Sequence, residues 1–369
     1  MKYSFISPFK PKYLKDIKPK NIKIYTFNAG FKKKNEDLLI LVFDNKVSFS
    51  AAYSKTSTPS APIIWDKKNN KGICKILIVN SGNANAHTGQ KGISAIKKYV
   101  KIASDIFNCK KNEIIVSSTG VIGEQIDPFK IIKKIKNINL KSSKSIIHAA
   151  KAIMTTDTFP KTAIANVQYN SDKIKIFGFA KGSGMIAPNM GTMLSYIFIE
   201  APLNQKELNI LLRRHLDNTF NSISVDGDTS TSDTIVLFST GFQNNKIKMN
   251  TNLFKKISFG VEKVMLDLSK KIVSDGEGIS KLIEVEVINA KSIKQAKKVA
   301  FSIGESILVK TAVAGEDANW GRVIMAIGKA DKEIHQNKII IKFGNLIVAK
   351  EGEMYKNINI KKLDSYMRN

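Results

Sequence analysis

The 369-residue chain is poor in the residues that most often announce a chemistry. It has two cysteines, Cys74 and Cys109, too few for a disulfide framework, and neither has a Cys or His at metal-ligand spacing. Its four histidines (His87, His148, His215 and His335) are isolated, so no HExxH or Cys/His cluster exists and no metal is expected. His87 alone lies in a polar loop, and it reads as a hydrogen-bonding loop residue rather than a base. No GxSxG elbow, no GxxxxGK[ST] loop and no complete GxGxxG fingerprint occurs, which excludes an α/β-hydrolase, a P-loop and a dinucleotide-binding turn. No run of 18 apolar residues occurs, so no membrane helix is expected. The lysine-studded start shows no apolar core with a cleavage site, so no secretory signal is expected. Together with reduced thiols this points to the cytoplasm.

Acidic residues and arginine are also scarce. The net charge is +28, yet only Arg213, Arg214, Arg322 and Arg368 among the 59 basic residues are arginines. Such a balance fits a polyanion binder, or a solvated surface on which lysine has replaced other polar residues. The lysines are spread along the whole chain and lack Arg forks and aromatic stacking patches, which favours the second reading. Nucleic acid is not expected as a partner.

What is present is ordinary for a globular protein: 43% apolar and 24% charged residues. Helical and strand-like patterns alternate, which predicts an α/β (α+β) fold with a layered sheet-and-helix core. Helices are expected at 94–107, from Asp127-Pro128 (cap and first-turn proline), at 204–216 with Asn204 and Glu207 at capping-box spacing, at 252–272 and at 291–302. Strands are expected at 76–79, 114–116, 193–199, 235–238, 282–287 and 339–343. Between these elements lie polar, Gly-containing loops at 80–89, 117–123, 181–192, 226–233, 274–278 and 314–321. Six such loops suggest the wall of one active site carried on a rigid scaffold. The acids Asp226, Asp228 and Asp233 read as a turn bonding its own backbone, since an EF-hand's Gly and Glu are out of register.

Thr192 follows Gly191 and opens a buried strand. A cut before it would leave an α-amine with a pKa of about 7.7–8.0 that can act as base for its own hydroxyl, which would let a histidine-poor chain run acyl transfer. From composition alone, an ordinary strand threonine fits as well.

The segments VNSGNANAHTG, VSSTGVIGE, IMTTDTFPK, KGSGMIAPNMGTML, SVDGDTSTSDT, VSDGEGISKL and VKTAVAGEDANWGR resemble, in order, the signatures of the ornithine acetyltransferase family, also called bifunctional glutamate N-acetyltransferase. The resemblance runs from about residue 27 to 343. It implies self-cleavage at Gly191–Thr192, giving an α chain 1–191 and a β chain 192–369 that stay together as an α2β2 heterotetramer. It implies Thr192 as the nucleophile that carries acetyl from N-acetylornithine to glutamate, in arginine biosynthesis. Thr119 and Gly120 match the family's oxyanion pair, and Thr155, Lys181 and Glu277 match its substrate contacts. No cofactor is implied, and acetyl-CoA use as a second acetyl donor is left open. Two departures stand out. The family usually has Ala where this chain has Gly191, and the last 25 or so residues do not match the family's substrate-touching tail, so no contact is assigned there. A self-cleaving aminopeptidase or amidohydrolase, with water as acceptor, is the alternative.

Overall fold

The computed structural model describes residues 6–12, 16–169, 172–187, 193–241 and 250–368. They form two compact units, Met1–Gly278 and Ile279–Asn369.

The first unit is built on one mixed sheet. Its elements in chain order are β1 (Ile22–Phe27), β2 (Leu38–Tyr53), α1 (Ala61–Asn69), β3 (Ile73–Asn83), α2 (Gly89–Ile106), β4 (Ile114–Val121), α3 (Pro128–Lys136), α4 (Ile146–Ile153), β5 (Lys161–Tyr169), β6 (Asp172–Lys181), β7 (Leu194–Ile199), α5 (Gln205–Leu216), β8 (Thr234–Ser239) and α6 (Thr251–Val273). The strand order is β4-β3-β2-β8-β7-β6-β5, with β1 added to β2. The 16-residue β2 pairs with β1 and β3 through its first part and with β8 through its last. Strands β7 and β8 are parallel and buried along their whole length, which is why LSYIFI and TIVLFS read as near-continuous apolar runs.

Helices cover both faces. On one face the α6 stripe of Leu253, Ile257, Val261, Val264, Met265, Leu268 and Ile272 packs on Ile176, Ile197, Ile235 and Leu237. On the other, α4 packs against Phe43, Phe177, Phe198 and Phe238. Phe177, Phe198 and Phe238 are cross-strand neighbours, with successive ring centroids 5.3 Å apart. Such aromatic pairs add about 0.5–1.5 kcal/mol each beyond their burial. Helices α1, α2 and α3 close a third core with Ile76, Ile78, Ile114 and Val116. Cys74 is a buried small apolar residue, as expected.

The second unit holds α7 (Ile293–Gly304), α8 (Ile307–Ala314), α9 (Trp320–Ala330), the sheet of β9 (Ile340–Phe343), β10 (Leu346–Lys350) and β11 (Glu353–Met354), and α10 (Ile360–Arg368). Its core is formed by Val299, Ile303, Ala326, Ile327, Ile341 and Val348. No helix among the described residues is long and apolar enough to cross a membrane.

The layered α/β fold is the one expected. Two local expectations are corrected. Residues 282–287 form no strand: exposure alternates there, but the segment has no ladder partner among the described residues, and pairing rather than alternation makes a strand. Helix α2 begins at Gly89 rather than 94, because its polar first turn adds nothing to the apolar stripe. The packing boundary at 278/279 is a different division from the expected processing boundary at 191/192. Strands β7 and β8 follow 192 in the chain yet stand at the centre of the first unit's sheet.

Candidate active site

Thr119 and Gly120 lie near the end of β4, in parallel pairing with Ser81 and Gly82 of β3. Thr119 is buried. Gly120 has a φ of 130°, and a Cβ built on it would stand 2.3 Å from the carbonyl carbon of Gly82, so only glycine fits. The amides of the 80–89 loop knit the two strand ends together. Asn80 Nδ2 donates to Asn83 O at 2.8 Å, Ser118 Oγ donates to Asn80 Oδ1 at 2.6 Å, and Asn83 Nδ2 donates to Glu124 O at 3.1 Å. Ser81 Oγ donates to Ala152 O at 2.6 Å, tying the pair to the end of α4. His87 is corrected: it is exposed at a φ of 56°, and its ring makes no hydrogen bond among the described residues. The asparagines already satisfy the loop.

Thr155 follows α4, and Lys181 ends β6. Lys181 Nζ donates to Thr155 Oγ1 at 3.2 Å, and the lysine is 3% exposed. It is therefore not one of the solvated lysines. Burial pushes its ammonium below the ordinary lysine range, while Asp157 and Asp233 oppose that shift.

Asp157 organises this pair. Its Oδ2 accepts from Thr155 N at 3.0 Å, and its Oδ1 accepts from Gly182 N at 2.7 Å and Lys161 Nζ at 2.6 Å. Lys161, fully buried at the start of β5, also reaches Asp275 Oδ2 at 2.6 Å. Burial alone would raise the Asp157 pKa. The Lys161 and Lys181 charges and the Gly182 amide outweigh it and hold the carboxyl at about 2. Asp275 further accepts from Thr158 N at 2.9 Å, and its carbonyl accepts from Ser183 Oγ at 2.6 Å. Two residues on, Glu277 N donates to Ser183 O at 3.2 Å. The exposed Glu277 carboxylate lies beside Gly184, where a Cβ would come within 2.8 Å of Oε1. The 155–161, 181–184 and 274–278 segments thus form one hydrogen-bonded body holding Thr155, Lys181 and Glu277.

Gly191 and Thr192 lie outside the described residues. Their flanks are described. Asp226 accepts from Met185 N and from Ile186 N, the latter at 3.0 Å, and Asp233 Oδ1 accepts from Met193 N at 2.8 Å. The turn reading of this loop is correct for Asp228 N, which donates to Asp226 Oδ1 at 3.1 Å, but it misses the two carboxylates that reach other segments. Asp233 is fully buried, and burial raises its pKa well above the carboxylate range.

Sequence reasoning missed Asp157, Lys161 and Asp275 as site builders. Their signals were present, since all three fall inside motif segments, but burial had to be seen to be weighed.

Fold and site together define a layered α/β enzyme scaffold with buried cations and polar loops gathered at strand ends. A family model described as ArgJ family matches residues 23–369, so the likeness extends through the last 25 or so residues, beyond the 27–343 span expected from the motifs, and the chain belongs to that family of arginine-biosynthesis proteins. An arginine biosynthesis bifunctional protein ArgJ from Bradyrhizobium diazoefficiens is 42% identical over 358 residues, covering 95% of this chain and 87% of its own. The protein of that name from Agrobacterium fabrum is 41% identical over 357 residues, covering 94% and 86%. Among solved structures, the ArgJ protein of Bacillus halodurans aligns with a TM-score of 0.43 at 32% identity, over 46% of this chain and 91% of that one.

Proposed function

We propose that this chain moves the acetyl group of N2-acetyl-L-ornithine to L-glutamate through an acetyl-Thr192 intermediate. Family membership and the names of the relatives support acetyl transfer in arginine biosynthesis. The observation within the molecule that carries the reading is the buried Lys181–Thr155 contact at the end of the strand leading into 188–192.

In maturation, Thr192 Oγ attacks the carbonyl of Gly191. The peptide bond gives way to an ester and a free α-amine, and water hydrolyses the ester to leave residues 1–191 and 192–369. In turnover, the α-amine takes the Thr192 hydroxyl proton as Oγ attacks the acetyl carbonyl of N-acetylornithine. Thr119 and Gly120 donate to the oxyanion, each donor being worth on the order of 3 kcal/mol. The proton returns to the departing ornithine amine. Glutamate's amine then attacks the acetyl-enzyme, and the reverse proton path frees Thr192. Lys181 and Thr155 serve the substrate carboxylate, and Glu277 suits the ornithine side-chain ammonium. The two fragments stay associated as α2β2, and the enzyme works in the cytoplasm.

Intact mass under denaturing conditions, beside Thr192→Ala, tests the first step. Two fragments meeting at 191/192 in the wild type and one chain in the variant are expected. Purified protein is then given N-acetylornithine with and without glutamate. Glutamate-dependent N-acetylglutamate supports the reading, whereas acetate release that glutamate neither speeds nor diverts overturns it in favour of a hydrolase. Replacing the donor by acetyl-CoA shows whether the same acetyl-enzyme has a second source.

A further inference from the structure

We propose that Lys32 is the specificity-determining residue for the acceptor. With Lys181 it flanks the Thr155 hydroxyl as a two-ammonium subsite, and it takes the second carboxylate of a dicarboxylic amino acid. The inference rests on the acetyl-transfer reading above and names a residue that reading does not use.

Lys32 is set in place by a dedicated device. The buried Asp37 carboxylate accepts four successive backbone N–H groups, from Ala29, Gly30, Phe31 and Lys32, the last at 2.8 Å. Four charge-assisted bonds fix a short loop firmly. Its neighbours Lys33 and Lys34 are exposed, but Lys32 turns inward and is half-buried. Its stem runs over Gly82, where a Cβ would come within 3.1 Å of Lys32 Cγ, and Gly82 is the residue on which Gly120 packs. Its Nζ donates to Met154 O at 2.9 Å. Thr155, one peptide bond on, accepts from Lys181 Nζ. Backbone dimensions put the two ammoniums within about 11 Å of each other, a span that a short dicarboxylic amino acid can bridge.

The charges of this corner do not cancel internally. Lys161 takes both Asp157 and Asp275, whereas neither Lys32 nor Lys181 has a carboxylate oxygen within 4.0 Å among the described residues. The nearby acids are committed elsewhere. Asp37 is spent on its four amides, and Asp157 on Lys161, Gly182 N and Thr155 N. Glu36 holds Thr26 and Lys144. Lys32 keeps two N–H donors beyond Met154 O, and Thr155 Oγ1, having accepted from Lys181, keeps its own proton to donate. Burial first, and then the neighbouring Lys181 charge, depress the Lys32 pKa against the pull of Asp37, Asp157 and Glu36. A bound anion relieves that repulsion.

Donor and acceptor explain the need. N-acetylornithine and glutamate share an α-carboxylate and an α-nitrogen and differ at the side-chain end, ammonium in one and carboxylate in the other. Lys181 and Thr155 suit what is shared, and Glu277 suits the ammonium. Lys32 supplies the group that only the acceptor requires.

The test uses the processed enzyme carrying Lys32→Met or Lys32→Arg, with matched thermal melts as a folding control. Acetyl-enzyme formation from N-acetylornithine alone is read by the mass added to the 192–369 fragment. Transfer is read with glutamate and with glutamine. Lys32→Met should leave acetyl-enzyme formation within about twofold of wild type and raise the KM for glutamate by about tenfold or more. It should also collapse the preference for glutamate over glutamine, and Lys32→Arg should restore most of it. An unchanged glutamate KM and an unchanged preference overturn the inference while the acetyl-transfer reading stands. Equal loss in both half-reactions also overturns it, since Lys32 would then serve a feature common to both substrates. A wild-type enzyme that forms no acetyl-enzyme overturns the functional reading itself, and this inference with it, before Lys32 is changed.

Discussion

Asp233 Oδ1 accepts the backbone N–H of Met193 at 2.8 Å, so the first described residue after Thr192 is tied to the start of β8. The reciprocal bond, Thr234 N to Met193 O at 3.0 Å, makes the tie two-sided. Thr192 is covalently next to this doubly bonded residue, and a fixed position is what its proposed role as nucleophile requires.

Asp233→Ala removes the acceptor for Met193 N and should slow appearance of the two fragments by about tenfold or more. Asp233→Asn keeps a carbonyl oxygen in place and should process at close to the wild-type rate. A time course of intact mass after expression is induced measures both. Equal rates in Ala and Asn would remove positioning as the role of Asp233.

Gly120→Ala puts a methyl against the Gly82 carbonyl and a side chain at a φ of 130°. The strain is of order 1–3 kcal/mol, and the strand end must shift to relieve it. We expect kcat to fall by about 100-fold or more while N-acetylornithine binding, followed by calorimetry on the Thr192→Ala background, changes little.

The acid limb of stability should carry the signature of Asp157. Its pKa lies at about 2 in the folded protein against an ordinary aspartate value of 3.8, so its contribution is present above pH 3.8 and is lost as pH falls toward 2. The size is about 2 kcal/mol. Asp157→Asn should flatten chemical-denaturation stability between pH 4 and 2. At neutral pH the same change should cost on the order of 3–5 kcal/mol, because Lys161 loses one of its two carboxylates. A variant with the wild-type slope would assign the acid limb to other groups.

Gly184→Ala is a probe of Glu277. The new Cβ would crowd Oε1 at 2.8 Å, and the end of a glutamate side chain can swing away at little cost to the fold. The KM for N-acetylornithine should rise several-fold with an unchanged melting temperature. A change in glutamate KM alone would contradict the pairing of Glu277 with the donor.

Local signals in the sequence were realised where the interaction is itself local. The Asn204/Glu207 capping box forms in both directions, at 3.0 and 2.8 Å, and Asp127 Oδ1 accepts from Phe129 N at 2.9 Å. The buried strands β7 and β8 were legible because burial on both faces leaves an unbroken apolar run. Long β2 was not, since Asp44, Asn45 and Lys46 interrupt its pattern where the register to β3 shifts. Lys32 and Lys161 were invisible for a different reason. Each is one lysine among 55, and only distant segments, Met154 for one and Asp275 for the other, make it a buried cation. The motif resemblance named Thr155, Lys181 and Glu277 as expected contacts but said nothing of Asp157, which holds Thr155 and the residue after Lys181 together.

Strand β7 is hydrogen-bonded to β6 on one side and β8 on the other. A break within 188–192 therefore severs the chain without releasing an edge. Before such a break, folding is a unimolecular search. After it, the unfolded pieces must find each other in solution, at a cost set by their concentration. The mature molecule would be protected by its rate of unfolding rather than by ready refolding. Once denatured it should recover poorly, and less well the more it is diluted, while each uncut Thr192→Ala chain should regain its own fold independently of concentration. Maturation would then act as a ratchet, trading a renewable fold for a working nucleophile.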